Sequence, residues 1–142
     1  MAFWNRKNPG DLSLPKSDRG VGSFSDYRYN LVPSNGRVTM RLADSDPHQE
    51  ELIAVLATGG ELETAISRRS SAEEAKDAPI VVRLFTGSRV SGIVGVVPRG
   101  LESIVDDTLG RLEDAGRKPR IPVAVVKTRH GYRVDLLLGQ TR

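Results

Sequence analysis

Basic side chains are concentrated near the end of the chain, on both sides of an apolar run. The first group is Arg117-Lys118-Pro119-Arg120, and the second is Lys127-Thr128-Arg129-His130-Gly131-Tyr132-Arg133. Guanidinium groups bind phosphate in a bidentate geometry, and a tyrosine ring can stack on a nucleobase. Residues 122–128 and 132–138 have the pattern of paired strands, which could bring both groups to one edge. The candidate nucleic-acid-binding residues here are Arg117, Lys118, Arg120, Lys127, Arg129, Tyr132 and Arg133.

Three further arginines, Arg83, Arg89 and Arg99, lie on or beside an earlier pair of apolar runs. If they share a face with Tyr132, they widen the same positive patch, and we include them as candidates. The alternative is that all these cations occupy ordinary solvated strand and turn positions, where they also discourage strand-to-strand aggregation. An interface with phosphates would lose affinity steeply as the salt concentration rises.

No group of residues in the sequence forms a recognisable catalytic or metal-binding motif. His48 and His130 are far apart without metal-ligand spacing, and Ser91 lacks the glycines of a nucleophile elbow. Cysteine is absent, which excludes disulfides and thiolate metal sites. Glu102 and Asp106 share one helix face and could bind a metal, but we expect them on the solvated side of an amphipathic helix. The sequence therefore predicts a protein that is not an enzyme and that uses no metal or cofactor.

The composition of the chain is that of one globular domain with an uneven charge distribution. The 142 residues carry a formal net charge of +3. Residues 79–142 hold eleven basic and six acidic side chains, whereas residues 37–78 hold five basic and nine acidic ones. A basic C-terminal half is compatible with a polyanionic partner. No run approaches the roughly 18 apolar residues that a membrane span needs, and the first residues lack a secretory h-region, so we expect a cytoplasmic protein.

Apolar periodicity predicts an α+β domain with a small, mostly antiparallel, six-stranded barrel-like sheet and two helices. The strands are expected near residues 37–42, 61–67, 80–85, 90–97, 122–128 and 132–138, and the helices near 46–58 and 101–115. Leu52, Ile53 and Leu56 form the expected buried stripe of the first helix. Gly87-Ser88 fits a tight hairpin turn, and His130-Gly131 supplies a positive φ in the last hairpin. The polar stretch 68–78 is expected to be a surface loop that could hold one helical turn.

Residues 1–36 are predicted to be a flexible arm, and residues 37–142 the folded domain. The arm is rich in turn and breaker signals, and its apolar side chains are too sparse to offset the entropy of ordering. Phe24, Tyr27, Tyr29 and Leu31 are the exception and could dock on the domain.

Three short motifs carry a family resemblance. They are Asp46-Pro47-His48-Gln49-Glu50-Glu51-Leu52, the Gly-x-x-Pro arrangement of Gly95 and Pro98, and Gly131-Tyr132-Arg133-Val134-Asp135-Leu136. With the order of elements over roughly residues 37–138, they resemble the HIRAN domain, in particular HIRAN-like domains of bacterial or phage proteins from GC-rich genomes. The resemblance implies binding of the 3′ end of single-stranded DNA, with an aspartate on the terminal hydroxyl. Asp77 could stand for that aspartate, while Lys76 replaces the family's stacking tyrosine.

Two functional hypotheses follow from these observations. The first is a non-enzymatic nucleic-acid-binding domain that contacts the backbone of single-stranded DNA through a basic hairpin face. The second is a protein-interaction or regulatory accessory module, of the kind that phages encode, whose acidic middle or aromatic arm binds a cellular protein.

Overall fold

The computed structural model describes residues 13–142 as an α+β fold. Its helices are α1 Gln49–Ala57, α2 Ser71–Ala75 and α3 Glu102–Asp114. Its strands are β1 Met40–Arg41, β2 Leu62–Thr64, β3 Val81–Val82, β4 Leu84–Thr86, β5 Arg89–Val90, β6 Gly95–Val96, β7 Pro122–Thr128 and β8 Gly131–Leu136. Single 3₁₀ turns occur at Lys16–Asp18, Phe24–Asp26, Asp46–His48 and Leu138–Thr141. The α+β class is therefore confirmed, and α2 occupies the predicted polar loop.

Within the described residues, the strands form a six-stranded sheet of order β1-β8-β7-β2-β4-β5 and a separate pair, β3-β6. All of the ladders between these strands are antiparallel. The large sheet does not close into a barrel, so the barrel-like part of the prediction is wrong. Its edge strands β1 and β5 are not paired with each other, and the apolar run 80–85 is divided between the two sheets: Val82 pairs with Gly95, whereas Leu84 pairs with Thr64.

The two predicted hairpin turns are confirmed. Phe85 pairs with Val90 and Thr86 with Arg89, which leaves Gly87-Ser88 as the two-residue connection, with φ +72° at the glycine. The second hairpin pairs Thr128 with Gly131, whose φ is +114°. Both turns use a glycine because L side chains rarely adopt positive φ.

Helix α3 lies where apolar periodicity predicts the second helix, and it buries an apolar stripe that includes Ile104, Val105 and Leu109 in the core. Helix α1 differs from the prediction. Leu52 and Val55 are its buried positions, whereas Ile53 is 53% exposed and Leu56 is 40% exposed. The helix is therefore rotated relative to the expected stripe, because the Leu52 and Val55 side of it faces the core.

The segment 13–36 packs on the domain instead of forming a separate arm. The backbone of Val21 exchanges two hydrogen bonds with Arg41 of β1, and the ring of Tyr27 is buried in the core. Asp18 is buried, and its carboxylate accepts hydrogen bonds from the backbone N–H groups of Ser45 and Asp46 at 2.8 and 2.9 Å. Prediction of an arm failed because these partners are distant in sequence. The rest of the predicted arm, residues 1–12, lies outside the described residues.

Within the described residues, no helix combines the length and the apolar character that crossing a bilayer requires.

Candidate nucleic-acid interface

An open groove of about 760 Å³ is lined by residues 65–67, 79–81 and 118–120 together with Arg69, Glu73, Arg83, Phe85 and Val90, and we call it the basic groove. The alternation of the extended segment 81–85 builds one of its surfaces. Val82 and Leu84 point into the core, so Val81, Arg83 and Phe85 point out and line the groove.

Arg120 is the cation of the basic groove that lies over an aromatic ring. Its guanidinium carbon lies over the ring of Phe85, 4.0 Å from the ring centroid. One of its terminal nitrogens lies 3.5 Å from a carboxylate oxygen of Glu63. Phe85 and Glu63 are direct partners across β4 and β2, so their side chains project from the same face of the sheet. The sheet register therefore fixes the aromatic and acidic supports of one guanidinium group.

Arg83 and Lys118 complete the positive lining of the groove. Both side chains are exposed, and neither forms an ion pair with any other described residue. Lys118 is presented by the chain that leaves α3, where Gly116 with φ +72° ends the helix. The backbone N–H of Arg117 donates to the carbonyl of Leu112 at 2.9 Å, which is a Schellman-type end. Arg117 itself is exposed outside the groove lining.

The remaining ionised groups of the groove, Arg69 and Glu73, are held by neighbours. The Nε of Arg69 donates to a carboxylate oxygen of Asp106 at 2.8 Å. Glu73 accepts the backbone N–H of Ser70 at 2.9 Å, while the Ser70 hydroxyl caps Glu73 in return. These backbone and side-chain hydrogen bonds from Ser70 hold the pKa of the Glu73 carboxyl below its usual value. The cations available to a ligand are thus Arg83, Lys118 and the open side of Arg120.

The predicted residues of the last hairpin lie away from the groove. Lys127 and Tyr132 are cross-strand partners, with the ammonium 5.8 Å from the ring centroid, and Arg129 is exposed in the turn. Arg120 lies two residues before β7, whereas Lys127 lies seven residues further along the chain, which is roughly 23 Å of extended chain. The two basic groups therefore do not meet at one edge, contrary to the prediction.

Arg133 is not a surface residue, and its place among the candidate contacts is wrong. It is 1% exposed, and a terminal nitrogen donates to a carboxylate oxygen of Asp46 at 2.7 Å. Its Nε donates to the carbonyl of Ser17 at 3.1 Å and lies 3.7 Å from a carboxylate oxygen of Asp18. Arg133 ties the segment before β1 to the last hairpin, and no ligand can reach it without local unfolding.

Arg89 and Arg99 also lie outside the groove lining. Arg89 pairs with Thr86, so it projects from the face opposite Phe85 and Val90. Arg99 donates to Glu102 at 2.8 Å and to the carboxylate of Asp77 at 3.0 Å. Asp77, the candidate for an end-binding aspartate, is exposed, but this carboxylate is already paired with Arg99.

The roles of Phe85, Glu102 and Asp106 do not follow from the sequence pattern alone. The pattern predicts Phe85 only as a strand residue, although its alternation with Arg83 is a usable signal for a shared face. Glu102 and Asp106 are buried and hold Arg99 and Arg69, so their expected solvated position is wrong. Both flank the apolar stripe of α3, and their arginine partners were not identifiable from helix periodicity.

Within residues 13–142, no three His, Cys, Asp or Glu side chains are grouped so that they could hold a metal ion. Comparison of the chain with protein-family models, curated proteins and solved structures finds no match. The resemblance to HIRAN-like domains therefore stays a prediction.

Proposed function

We propose that this protein is a non-enzymatic binder of single-stranded nucleic acid, and that the ligand lies in the basic groove. The observation that carries the proposal is the Arg120 guanidinium stacked on Phe85, with the exposed cations Arg83 and Lys118 lining the same groove. Proteins that bind single strands combine cations for the backbone with planar groups on which bases stack.

The shape of the groove favours an unpaired strand over a duplex. A helix or a two-stranded ribbon usually reads duplex DNA by entering the major groove, so the reading element must protrude. Here the stacked planar groups lie in a concavity, which only an unstacked base can enter. The exposed β7–β8 turn is the competing surface, because it is a protruding two-stranded ribbon that carries Lys127 and Arg129.

The test compares two variants that each lose two exposed positive charges. The groove variant is Arg83→Gln with Lys118→Gln, and the matched turn variant is Lys127→Gln with Arg129→Gln. Fluorescence anisotropy with labelled single- and double-stranded oligonucleotides is measured at about 50 and 200 mM salt. The groove variant should bind the single strand at least about tenfold more weakly at the lower salt, and its logarithmic salt slope should fall by about 1.4.

The turn variant should retain single-strand affinity within about twofold, because its charges lie outside the groove. Absence of single-strand binding by the wild-type protein at low salt would contradict the proposal. If only the turn variant lost affinity, the result would place the interface at the β7–β8 turn and contradict the assignment of the ligand to the basic groove.

A second candidate function, binding of a cellular protein, is favoured by the exposed apolar side of α1. Ile53 and Leu56 are exposed there on a helix whose first turn carries Glu50 and Glu51. An Ile53→Ser, Leu56→Ser variant should lose a protein that the wild-type chain retains from the source cell, while its single-strand affinity stays unchanged. Equal retention by both chains would reject α1 as that surface.

A further inference from the structure

We infer that Arg120 binds a single unpaired nucleobase on the open face of its guanidinium, as a planar stacking platform and not mainly as a phosphate contact. The inference rests on the proposed function and specifies its ligand: the site takes a base as well as a backbone. The observation behind it is an order of three layers: the Phe85 ring, the Arg120 guanidinium over that ring, and the basic groove.

One face of the Arg120 guanidinium is already covered. The Phe85 ring lies beneath it at 4.0 Å, and Phe85 is itself partly buried in the sheet surface. The Arg120 side chain is 32% exposed and lines the groove, so its second face is the one available to a ligand. Guanidinium groups stack on aromatic planes because the group is flat, delocalised and weakly hydrated.

The position of Glu63 indicates why Arg120 is suited to stacking. Glu63 lies 3.5 Å from a terminal nitrogen of the guanidinium, which is an ion-pair distance. Phe85 and Glu63 together restrict the Arg120 rotamer before any ligand arrives. A base that stacks on a side chain already held in place loses less affinity to ordering than one that must immobilise a free side chain.

The neighbouring cations contribute a different interaction from that of Arg120. Arg83 and Lys118 lack ion-pair partners among the described residues, so they are free to meet phosphates on either side of the stacked base. The charge of Arg120 is already partly compensated by Glu63, so phosphate binding there gains less than at Arg83. Charge is therefore the main contribution of Arg83 and Lys118, whereas the flat face is the main contribution of Arg120.

The experiment separates base stacking from backbone binding with two single-stranded oligonucleotides of equal length, one normal and one with abasic sites throughout. Wild-type protein should bind the normal strand about 5- to 100-fold more tightly than the abasic strand. Arg120→Lys keeps the positive charge and loses the planar guanidinium group. This variant should bind the normal strand almost as weakly as the wild-type protein binds the abasic strand. Its salt slope should equal that of the wild type, because the number of positive charges is unchanged.

Arg117→Lys is the matched control, because Arg117 is exposed outside the groove lining, and the same exchange there should leave the affinity and the preference for the normal strand intact. A 2-aminopurine in the normal strand should lose fluorescence on binding to the wild type and much less on binding to Arg120→Lys. Circular dichroism of each variant, unchanged from the wild type, excludes unfolding as the cause.

Equal, salt-dependent binding of the normal and abasic strands by the wild type would reject the stacking platform and leave the proposed function standing. Binding of neither strand at low salt would reject both. Binding of an acidic peptide of the same charge as tightly as the normal strand would show a general polyanion site, which also overturns the inference.

Discussion

Arg129 and Arg133 lie four positions apart in one hairpin and occupy opposite environments. Arg129 is exposed in the β7–β8 turn, whereas Arg133 is buried between Asp46 and Asp18. Burial of a cation is costly unless carboxylates and carbonyls replace the lost water, and the surroundings of Arg133 supply both. At the scale of the residue, the side chain of Arg133 therefore stabilises the fold, whereas the identical side chain of Arg129 is exposed to solvent.

The first prediction compares these two arginines. Arg133→Ala should lower the free energy of unfolding by about 3–5 kcal/mol, because it leaves the buried Asp18 carboxylate without its cation. Arg129→Ala should change it by no more than about 0.5 kcal/mol. Urea denaturation followed by circular dichroism measures both. Similar losses in the two variants would contradict the assignment of Arg133 as a buried structural residue.

The second prediction concerns the pH dependence of the capping box of α2. Hydrogen bonds from Ser70 lower the pKa of Glu73 from 4.5, so the ionised carboxylate stabilises the helix start. Because the folded pKa is the lower one, this contribution is present above about pH 4.5 and is lost as the pH falls through the folded value. NMR titration of the Glu73 carboxyl carbon should show the depressed pKa.

Ser70→Ala is the variant that tests the cause, because it removes the hydroxyl half of the capping box. The Glu73 pKa should then rise only part of the way toward its usual value, because the larger contribution, the hydrogen bond from the Ser70 backbone N–H, remains. Ser71→Ala, one residue along the helix, should leave the Glu73 pKa unchanged. An unaltered titration in Ser70→Ala would show that the serine hydroxyl is not a partner of Glu73.

At the scale of the elements, the close approach of β6 to the segment after β1 depends on Gly95. A Cβ added there would lie 2.9 Å from the carbonyl oxygen of Ala43 and 3.0 Å from the Ser45 hydroxyl oxygen. The backbone of Ala43 also forms a bridge with Val96, so it cannot retreat without losing that pair. Gly95 is thus a point of close backbone contact between β6 and the segment after β1.

The third prediction follows from that contact. Gly95→Ala should lower the free energy of unfolding by about 1–3 kcal/mol, because either the bridge or the β3-β6 pair must shift. Gly36→Ala is the control, since a Cβ there meets nothing within 4 Å. Thermal denaturation of the two variants measures the difference. A Gly95→Ala protein as stable as Gly36→Ala would contradict the close approach.

At the scale of the whole molecule, the segment 13–36 is a component of the fold. Asp18 links it to Arg133 and to the start of the turn before α1, and Tyr27 adds an aromatic ring to the core. Burial also raises the pKa of the Tyr27 phenol, with a smaller contribution from Asp26, so the neutral form is retained across ordinary pH. The candidate groove therefore lies on a sheet whose opposite edge, β1, is held in place by the segment 13–36.

The fourth prediction is that deletion of residues 1–30 lowers the free energy of unfolding by at least about 3 kcal/mol, because Arg133 loses the buried Asp18 carboxylate. Hydrogen exchange gives a local readout in the same protein. The backbone amides of Ser45 and Asp46, which donate to Asp18, should exchange faster after the deletion. A truncated chain with wild-type stability and exchange would restore the flexible-arm interpretation.

The sequence alone was sufficient for elements whose causes are local. Helix α3, the β7–β8 hairpin and the Gly87-Ser88 turn follow from apolar periodicity and glycine chemistry within a few residues, and the structure confirms them. The tertiary structure decided which cations are available to a ligand. Arg133 and its partner Asp46 are separated by 87 positions, and no pattern along the chain measures such a distance.

The candidate site shows the same division. The alternation that turns Arg83 and Phe85 outward was present in the sequence, because strand geometry repeats every two residues. The stacking of Arg120 on Phe85 could not be predicted from the sequence, because it depends on how β2 aligns β4 with the chain that enters β7. Local chemistry determined the elements, and long-range strand register determined which side chains meet, because register is set by packing across the whole core.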